Sequence, residues 1–351
     1  MSLMRKSLTC LCALAACGLV SGVPPGSNEP SAKKKQSHTE ESAGAGSLWT
    51  DPIDLESRDL FYGSGGEKRA PHGGMTFQKE DPNGTNPKLD VTDEAGVKWK
   101  LKLGSEARPE VAATRLVWAT GYFTTDDYLL REIHIANLPE HLHRGGDEIH
   151  SGDASNVRVK RNPEGYEKKG VWSWKDDPFD DSREYNGLRV MMALINNWDL
   201  KDENNAEFGR KEHHGEPQDS GPDRMFLVTD LGTSFGPAGM GKDHRGRKGS
   251  VEWYRKSKFI TKSTPLDVDF ATPAHPGFII LFNPPEYFRR MHEEWIGRHV
   301  PRADVQWIAG ILARLSDHQI REAFRAGGFS PEEIDGMTAV MEQRIAALKD
   351  I

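Results

Sequence analysis

Strand-like and helix-like patterning are segregated along this chain, and that order restricts it to folds that keep sheet and helices apart. Runs of strands followed by runs of helices point to an α+β architecture. From Leu48 to about Leu138, short alternating runs are broken by turn residues at Pro82-Asn83-Gly84 and near Glu94-Ala95-Gly96. The plainest strand is Val97 to Leu103. Val97, Trp99, Leu101 and Leu103 fall on one face, and Lys98, Lys100 and Lys102 on the other. Pro109, at a favoured first-turn position, opens a predicted helix through "EVAATRLVWATG", with Gly121 as its stop. "VRVKR" and "GVWSWK" are predicted strands. From Ser182 the pattern turns helical, with a capping residue and an apolar face in "DSREYNGLRVMMALI". "RMFLVTDLG" is an apolar strand that ends in an acid and a glycine. Ser316 with Gln319, and Ser330-Pro331-Glu332-Glu333, are helix-start signatures, and Gly327-Gly328 separates the last two helices.

The N-terminus reads as an address. Arg5 and Lys6 precede "SLTCLCALAACGLV", which has the length of a signal-peptide apolar region and is short for a membrane span. Leu14-Ala15-Ala16-Cys17 resembles the lipobox of bacterial lipoproteins, which implies cleavage after residue 16 and lipid on Cys17. The alternative is a secretory signal cut later, near Gly22. Gly18 after the cysteine favours the outer membrane within the lipoprotein resemblance. Residues 17–46 are rich in Pro, Gly, Ser and charge and read as a disordered tether. Cys10, Cys12 and Cys17 are the only cysteines, so the body from residue 47 has no disulfide and depends on core packing. At 351 residues, a core is easily supplied. The formal net charge of −7 argues against a nucleic-acid partner, and leaves membrane association to the lipid alone.

Behind the apolar run "LRVMMALI" stands the polar block "NNWDLKDENN". It is either a solvated turn or a set of groups gathered around a polyphosphate and its metal. Asp199 is followed by Asn204 five residues on, and Asp230-Leu231-Gly232 ends an apolar strand downstream. A strand lysine and a helix glutamate lie upstream. This order resembles that of the protein-kinase-like superfamily. The resemblance is nearest to HipA-type kinases, in "NGTNPKLDV", "WKLKLG", "EVAATRLVWATG" and "LINNWDLKDEN", and spans roughly Met75 to Gly236.

The resemblance implies a two-lobed fold, with a small β-rich N-lobe carrying one helix over residues 47–172. A mainly helical C-lobe would fill residues 173–351. It implies a phosphotransferase that uses ATP or another nucleotide with Mg²⁺ and acts on a hydroxyl acceptor, protein or small molecule. Such transfer asks the protein for positioning and charge neutralisation. Asp199 would take the acceptor's proton and Lys201 would steady the moving phosphoryl oxygens. Asn204 and Asp230 would offer hard oxygens to Mg²⁺. Lys102 would reach the phosphates, held by Glu110, while the backbone at Gly84 and the Lys88 side chain would cover them.

Each role has a plainer rival. The three lysines of the strand fit a wet sheet face, and Lys100 competes with Lys102 for the phosphate role. Glu110 suits a helix N-terminus, and Glu106 competes with it. Asp202 and Asn205 read as loop solvation. The glycine-rich Gly-x-Gly-x-x-Gly is absent, and Asn197-Trp198 stands where typical protein kinases have His-Arg. Residues 205–224 enlarge the gap before Asp230 and read as an exposed hairpin or loop. His141 with His143, and His213 with His214, lack further ligands at zinc-site spacing. Trp172 and Trp174 read as packing residues. An exported kinase meets little ATP in a periplasm, so a pseudokinase scaffold and a nucleotidyl transferase on the same fold stand as alternatives.

Overall fold

Alternation of apolar and polar residues gives the strands of the first sheet an inward and an outward face. The computed structural model describes residues 46–82, 86–179, 181–197, 199–211, 221–236, 248–271 and 279–351. The Cys17 segment, the tether up to residue 45 and Gly84 lie outside these. Strands β1 (Met75–Asp81), β2 (Lys88–Thr92) and β3 (Lys98–Lys102) form a meander, followed by helix α1 (Ala107–Ala119). Strands β4 (Asp126–Ala136), β5 (Ile149–His150) and β6 (Asp153–Arg161) complete the sheet in the order β3-β2-β1-β4-β6-β5. A further β3–β6 pairing joins the ends of the run from β3 to β6, so these strands form a small barrel. Only the β1–β4 seam is parallel, through Met75↔Ile135 and Thr76↔Ala136.

Side chains alternate across a strand, so each strand gives one set to the barrel interior. Leu89, Val91, Trp99, Leu101, Tyr128, Val157 and Val159 pack there in one cluster. Leu89 faces Leu101 in register, and both are fully buried. Each such leucine is worth roughly 1.5–3 kcal/mol relative to exposure. The opposite set faces outward. Register places Lys88, Lys102 and Arg158 side by side in one outward row, and Asp90, Lys100, Lys160 and Asp127 in the next. Like charges at directly opposed positions repel, so the first row requires anions above it.

The rest of the chain is helical in the main, as the C-terminal patterning predicts, with two three-stranded sheets among the helices. Strand β7 (Tyr166–Gly170) precedes helix α2 (Arg183–Leu194), and β8 (Asn205–Arg210) pairs with both β7 and β9 (Arg224–Val228). After α3 (Val251–Lys256) come β10 (Ile260–Ser263) and β11 (Asp267–Phe270). Helices α4 (Ile279–Phe282) and α5 (Pro284–Glu293) precede β12 (Val300–Pro301), which completes the β10-β11-β12 sheet. Helices α6 (Arg302–Leu312), α7 (Asp317–Ala326) and α8 (Pro331–Lys349) close the chain. Ser316 and Ser330 cap α7 and α8 in reciprocal capping boxes with Gln319 and Glu333. Ala112, Ala113, Leu116 and Val117 of α1 join the large core built by α2, α6, α7 and α8, while its Glu110 side meets β3 and β6.

One strand expectation fails. "GVWSWK" alternates, but β7 ends at Gly170 and residues 171–179 form no strand. The two tryptophans are buried at 4% and 3% exposure and stack edge-on with centroids 4.9 Å apart. Trp172 donates through Nε1 to the Leu227 carbonyl at 2.9 Å, so side chains anchor this segment where a ladder was expected. The enlarged 205–224 gap forms a hairpin, β8–β9, whose tip falls outside the described residues, but β8 is largely buried. Asn205, read as loop solvation, is buried and donates to the Trp172 carbonyl at 3.0 Å.

Candidate active site

Two polar knots lie on either side of the junction between barrel and helices. The first is built on Lys102, whose side chain has no solvent exposure. Strand β3 sends it to the outward face, where α1 covers it. Its Nζ donates to Glu110 Oε2 at 2.7 Å, Asp230 Oδ1 at 2.9 Å and Glu106 Oε2 at 3.1 Å. Glu106 and Glu110 are one turn apart at the start of α1, so one helix face delivers both. The structure thus puts both candidate glutamates on Lys102. Lys100, by contrast, is 56% exposed and pairs with Asp81 and Asp90 at the sheet surface.

Four cations extend this knot. Arg158 Nη2 lies 3.0 Å from Glu110 Oε1, and Lys160 Nζ lies 3.6 Å from the same oxygen. Lys160 Nζ also donates to the Thr229 carbonyl at 2.8 Å. Lys88 Nζ lies 4.0 Å from Asp230 Oδ2, and Lys248 ion-pairs with Glu106. The anions required above the cation row are therefore Glu110, Glu106 and Asp230.

The pKa directions follow from this crowding. Burial alone would lower the Lys102 ammonium, but Asp230, Glu110 and Glu106 outweigh it and hold it above its ordinary value. Burial would raise the Asp230 and Glu110 carboxyls. Lys102, Lys160 and Lys88 hold Asp230 well below the usual carboxylate range, and Arg158 and Lys102 lower Glu110. Lys160 goes the other way: burial and the Arg158 charge push it down to about 8.

The second knot is the loop after α2. Asn197 Oδ1 accepts from Thr233 Oγ1 at 2.6 Å and from the Asp199 amide at 3.2 Å, which fixes the loop's entry. Asp199 Oδ2 accepts from Lys201 Nζ at 3.0 Å. Its Oδ1 is buried and accepts no hydrogen bond among the described residues, with Arg289 Nη2 3.4 Å away. Asn204 donates through Nδ2 to the Asp199 carbonyl at 2.8 Å, which leaves its Oδ1 as the remaining side-chain acceptor.

Backbone joins the two knots. Asn205 pairs with Val228 at the base of the β8–β9 hairpin, so Asn204 and Asp230 stand just beyond the two strand ends. The Asn204 carbonyl accepts from the Thr229 amide at 2.7 Å, and the Phe235 amide donates to the Ile195 carbonyl at 2.8 Å. Lys102, Glu110, Lys88 and Asp230 are in ionic contact, whereas Asp199 and Lys201 touch each other and not the Lys102 group. Asn204 Oδ1 and the Asp230 carboxylate are hard oxygens of the kind Mg²⁺ takes, and Mg²⁺ usually needs only one or two protein ligands beside substrate phosphates.

Sequence reasoning missed Arg158, Lys160, Lys248 and Arg289. A signal existed for two of them: in "VRVKR", Val157 and Val159 alternate with Arg158 and Lys160, which marks a cationic strand face like that of Lys100 and Lys102. Lys248 and Arg289 reach the site only through tertiary packing.

No protein-family model matches the chain, and no curated protein matches it. Among solved structures, the chain is similar to the Helicobacter pylori proinflammatory kinase CtkA, with 11% identity and a TM-score of 0.43, over 80% of this chain and 98% of that one. It is also similar to a Golgi casein kinase, with 10% identity and a TM-score of 0.31, over 84% of this chain and 78% of that one. At these values the likenesses do not establish a family, and the functional reading rests on the site.

Proposed function

We propose that this protein is a kinase-like phosphotransferase that moves a phosphoryl group from a nucleotide to a hydroxyl acceptor. The barrel region would serve as the N-lobe and the helical region as the C-lobe. The observation that carries the reading is the buried Lys102 ammonium, held at once by Glu110 at 2.7 Å and Asp230 at 2.9 Å. A lysine that only decorated a strand would remain in water like Lys100. Here three carboxylates hold it charged at the foot of an outward cation row, where a polyphosphate needs positive charge.

In this mechanism Lys102 keeps its Glu110 contact and exchanges its bonds to Asp230 and Glu106 for the donor's inner phosphates. Lys88, 24% exposed, approaches from the neighbouring strand and adds a second charge. Mg²⁺, when held by Asn204 and Asp230, neutralises charge on the donor phosphates. Asp199 accepts the proton that the acceptor hydroxyl releases, through Oδ1, which accepts no hydrogen bond among the described residues and lies 3.4 Å from Arg289 Nη2. Lys201 sits 3.0 Å from the same carboxylate and steadies the transferred oxygens. We place this chemistry outside the cytoplasm, on a lipid at Cys17, on the basis of the N-terminal segment; metabolic labelling with palmitate, absent in Cys17→Ala, tests that assignment.

A thermal-shift series with nucleotides, with and without Mg²⁺, tests the enzyme reading. Ligand at a hundred times its dissociation constant should stabilise by about 2.7 kcal/mol. Asp230→Ala should remove the Mg²⁺ dependence. Asp199→Ala should keep binding and stop turnover. No shift with any nucleotide refutes nucleotide-dependent transfer.

A further inference from the structure

A groove of about 1780 Å³ runs along the outward faces of β2, β3 and β6 and against β8. We propose that it binds a linear polyphosphate, and that a phosphoanhydride chain is a donor for the transfer described above. This rests on the phosphotransferase reading and names its donor class.

Size is the first observation. Pockets for drug-sized ligands measure roughly 300–1,000 Å³, so the groove suits an extended ligand. Charge is the second. Ten Lys and Arg line it against four Asp and Glu, in a chain whose formal net charge is −7. All four acids have cation partners inside the groove: Asp90 with Lys79 and Lys100, Glu164 with Arg69, Glu207 with Arg224, and Asp223 with Arg210. Four further acids pair with lining cations from just outside the groove: Asp126 with Arg69 and Arg161, Asp81 with Lys100, Glu110 with Lys160, and Glu167 with Lys169. The net excess is two cations, carried by the exposed Lys98 and Lys211.

Arrangement is the third. Residues two apart on a strand recur about every 6.6–6.8 Å on one face. Lys98, Lys100 and Lys102 thus form a ladder that starts in the groove and ends at the buried knot. Lys160 links the two, since it lines the groove and lies 3.6 Å from Glu110. Val97 and Pro163 are the half-buried apolar residues of the groove's walls, and Tyr166 is buried. Val91 and Trp99 border the groove but turn into the barrel core, at 1% and 2% exposure. A repeating anion matches a repeating row of amines, where a purine would ask for flat apolar surface.

The transfer balances without a further reactant. The acceptor oxygen forms a bond to the terminal phosphorus, and the terminal anhydride P–O bond breaks. The chain leaves one phosphate shorter with the electron pair, and the hydroxyl proton passes to Asp199.

The test compares binding of long-chain inorganic polyphosphate, Mg²⁺-ATP and poly-glutamate to the full chain by competition anisotropy. A Lys98→Glu, Lys211→Glu double variant alters two exposed groove residues outside the Lys102 and Asp199 knots. Polyphosphate should bind wild type and outcompete poly-glutamate. The double variant should weaken polyphosphate about tenfold or more and leave ATP unchanged. Polyphosphate must also shorten in the presence of acceptor or water, and Asp199→Asn must stop this. Unchanged polyphosphate affinity in the variant overturns the proposal, as does equal displacement by poly-glutamate, which would assign the groove to acidic polypeptide. ATP binding without polyphosphate binding sinks this proposal alone; failure of both ligands removes the phosphotransferase reading as well.

Discussion

Replacing Lys102 with methionine isolates the charge that the site is built around. The side chain has no exposure, and methionine keeps most of its volume. The variant leaves Glu106, Glu110 and Asp230 facing a position with no ammonium. Removing one partner of a buried ion pair costs about 3–5 kcal/mol. Arg158, Lys160, Lys88 and Lys248 still offset part of the excess, so the lower end, about 3 kcal/mol, is expected. Urea unfolding followed by tryptophan fluorescence reads this as a midpoint lowered by about 1 M, taking a slope of about 3 kcal/mol/M. The loss should depend on pH. In wild type the Glu110 carboxyl lies below its ordinary value, so its stabilisation is present above the unfolded pKa and fades only in acid. In the variant the buried carboxyls rise and take up protons more readily in the folded state. Acidification from about pH 7 to about pH 5 should therefore shrink the gap between the two proteins. A loss below about 1 kcal/mol that does not change with pH would refute the reasoning, because it would mean that Lys102 is not what neutralises these acids.

Asp199→Asn should lower turnover by about 10²–10⁴-fold while nucleotide affinity holds, since a positioned base contributes that much; steady-state kinetics beside calorimetry separates the two. Lys160→Met addresses pH on the alkaline side. The folded-state value of about 8 lies below that of the unfolded chain, so this group makes stability rise with pH from about 8 until the unfolded lysine also deprotonates. The variant should flatten that rise in urea midpoints. Ser330→Ala removes a cap whose Oγ accepts from the Glu333 amide at 3.3 Å, and should cost about 1 kcal/mol, read as a melting point lower by about 2 °C.

Local chemistry was legible in the chain. The capping boxes at Ser316 and Ser330, the helix behind Ser182 and the apolar strand leading to Asp230 each depend on residues within a few positions, and each forms, the strand ending at Val228. What depends on register was not. The alternation of Val97 to Leu103 gave the right inward face, yet it gave Lys98, Lys100 and Lys102 equal standing. Only the β3–β6 pairing and the covering helix separate the buried Lys102 from its exposed neighbours. The same non-local pairing brings Arg158 opposite Lys102, across a separation in sequence that no periodicity reports. Trp172 and Trp174 show the converse: their spacing was that of a strand, and their burial is met by side-chain anchoring to the β8–β9 hairpin. The order of strand, glutamate helix, acidic loop and terminal acid was readable. The meeting of Lys102, Glu110 and Asp230 is a property of the fold, and Asp199 and Lys201 touch each other and not that group.

Calorimetric titration of Mg²⁺-ATP into wild type, Lys102→Met and Lys100→Met, each shown to be folded by circular dichroism, tests the central claim most directly. Both lysines lie on the same face of one strand, and only Lys102 joins Glu110 and Asp230. The account expects binding to wild type, a loss of about a hundredfold or more in Lys102→Met, and a change within about threefold in Lys100→Met. Equal affinity in all three proteins, or a loss confined to Lys100→Met, would contradict it.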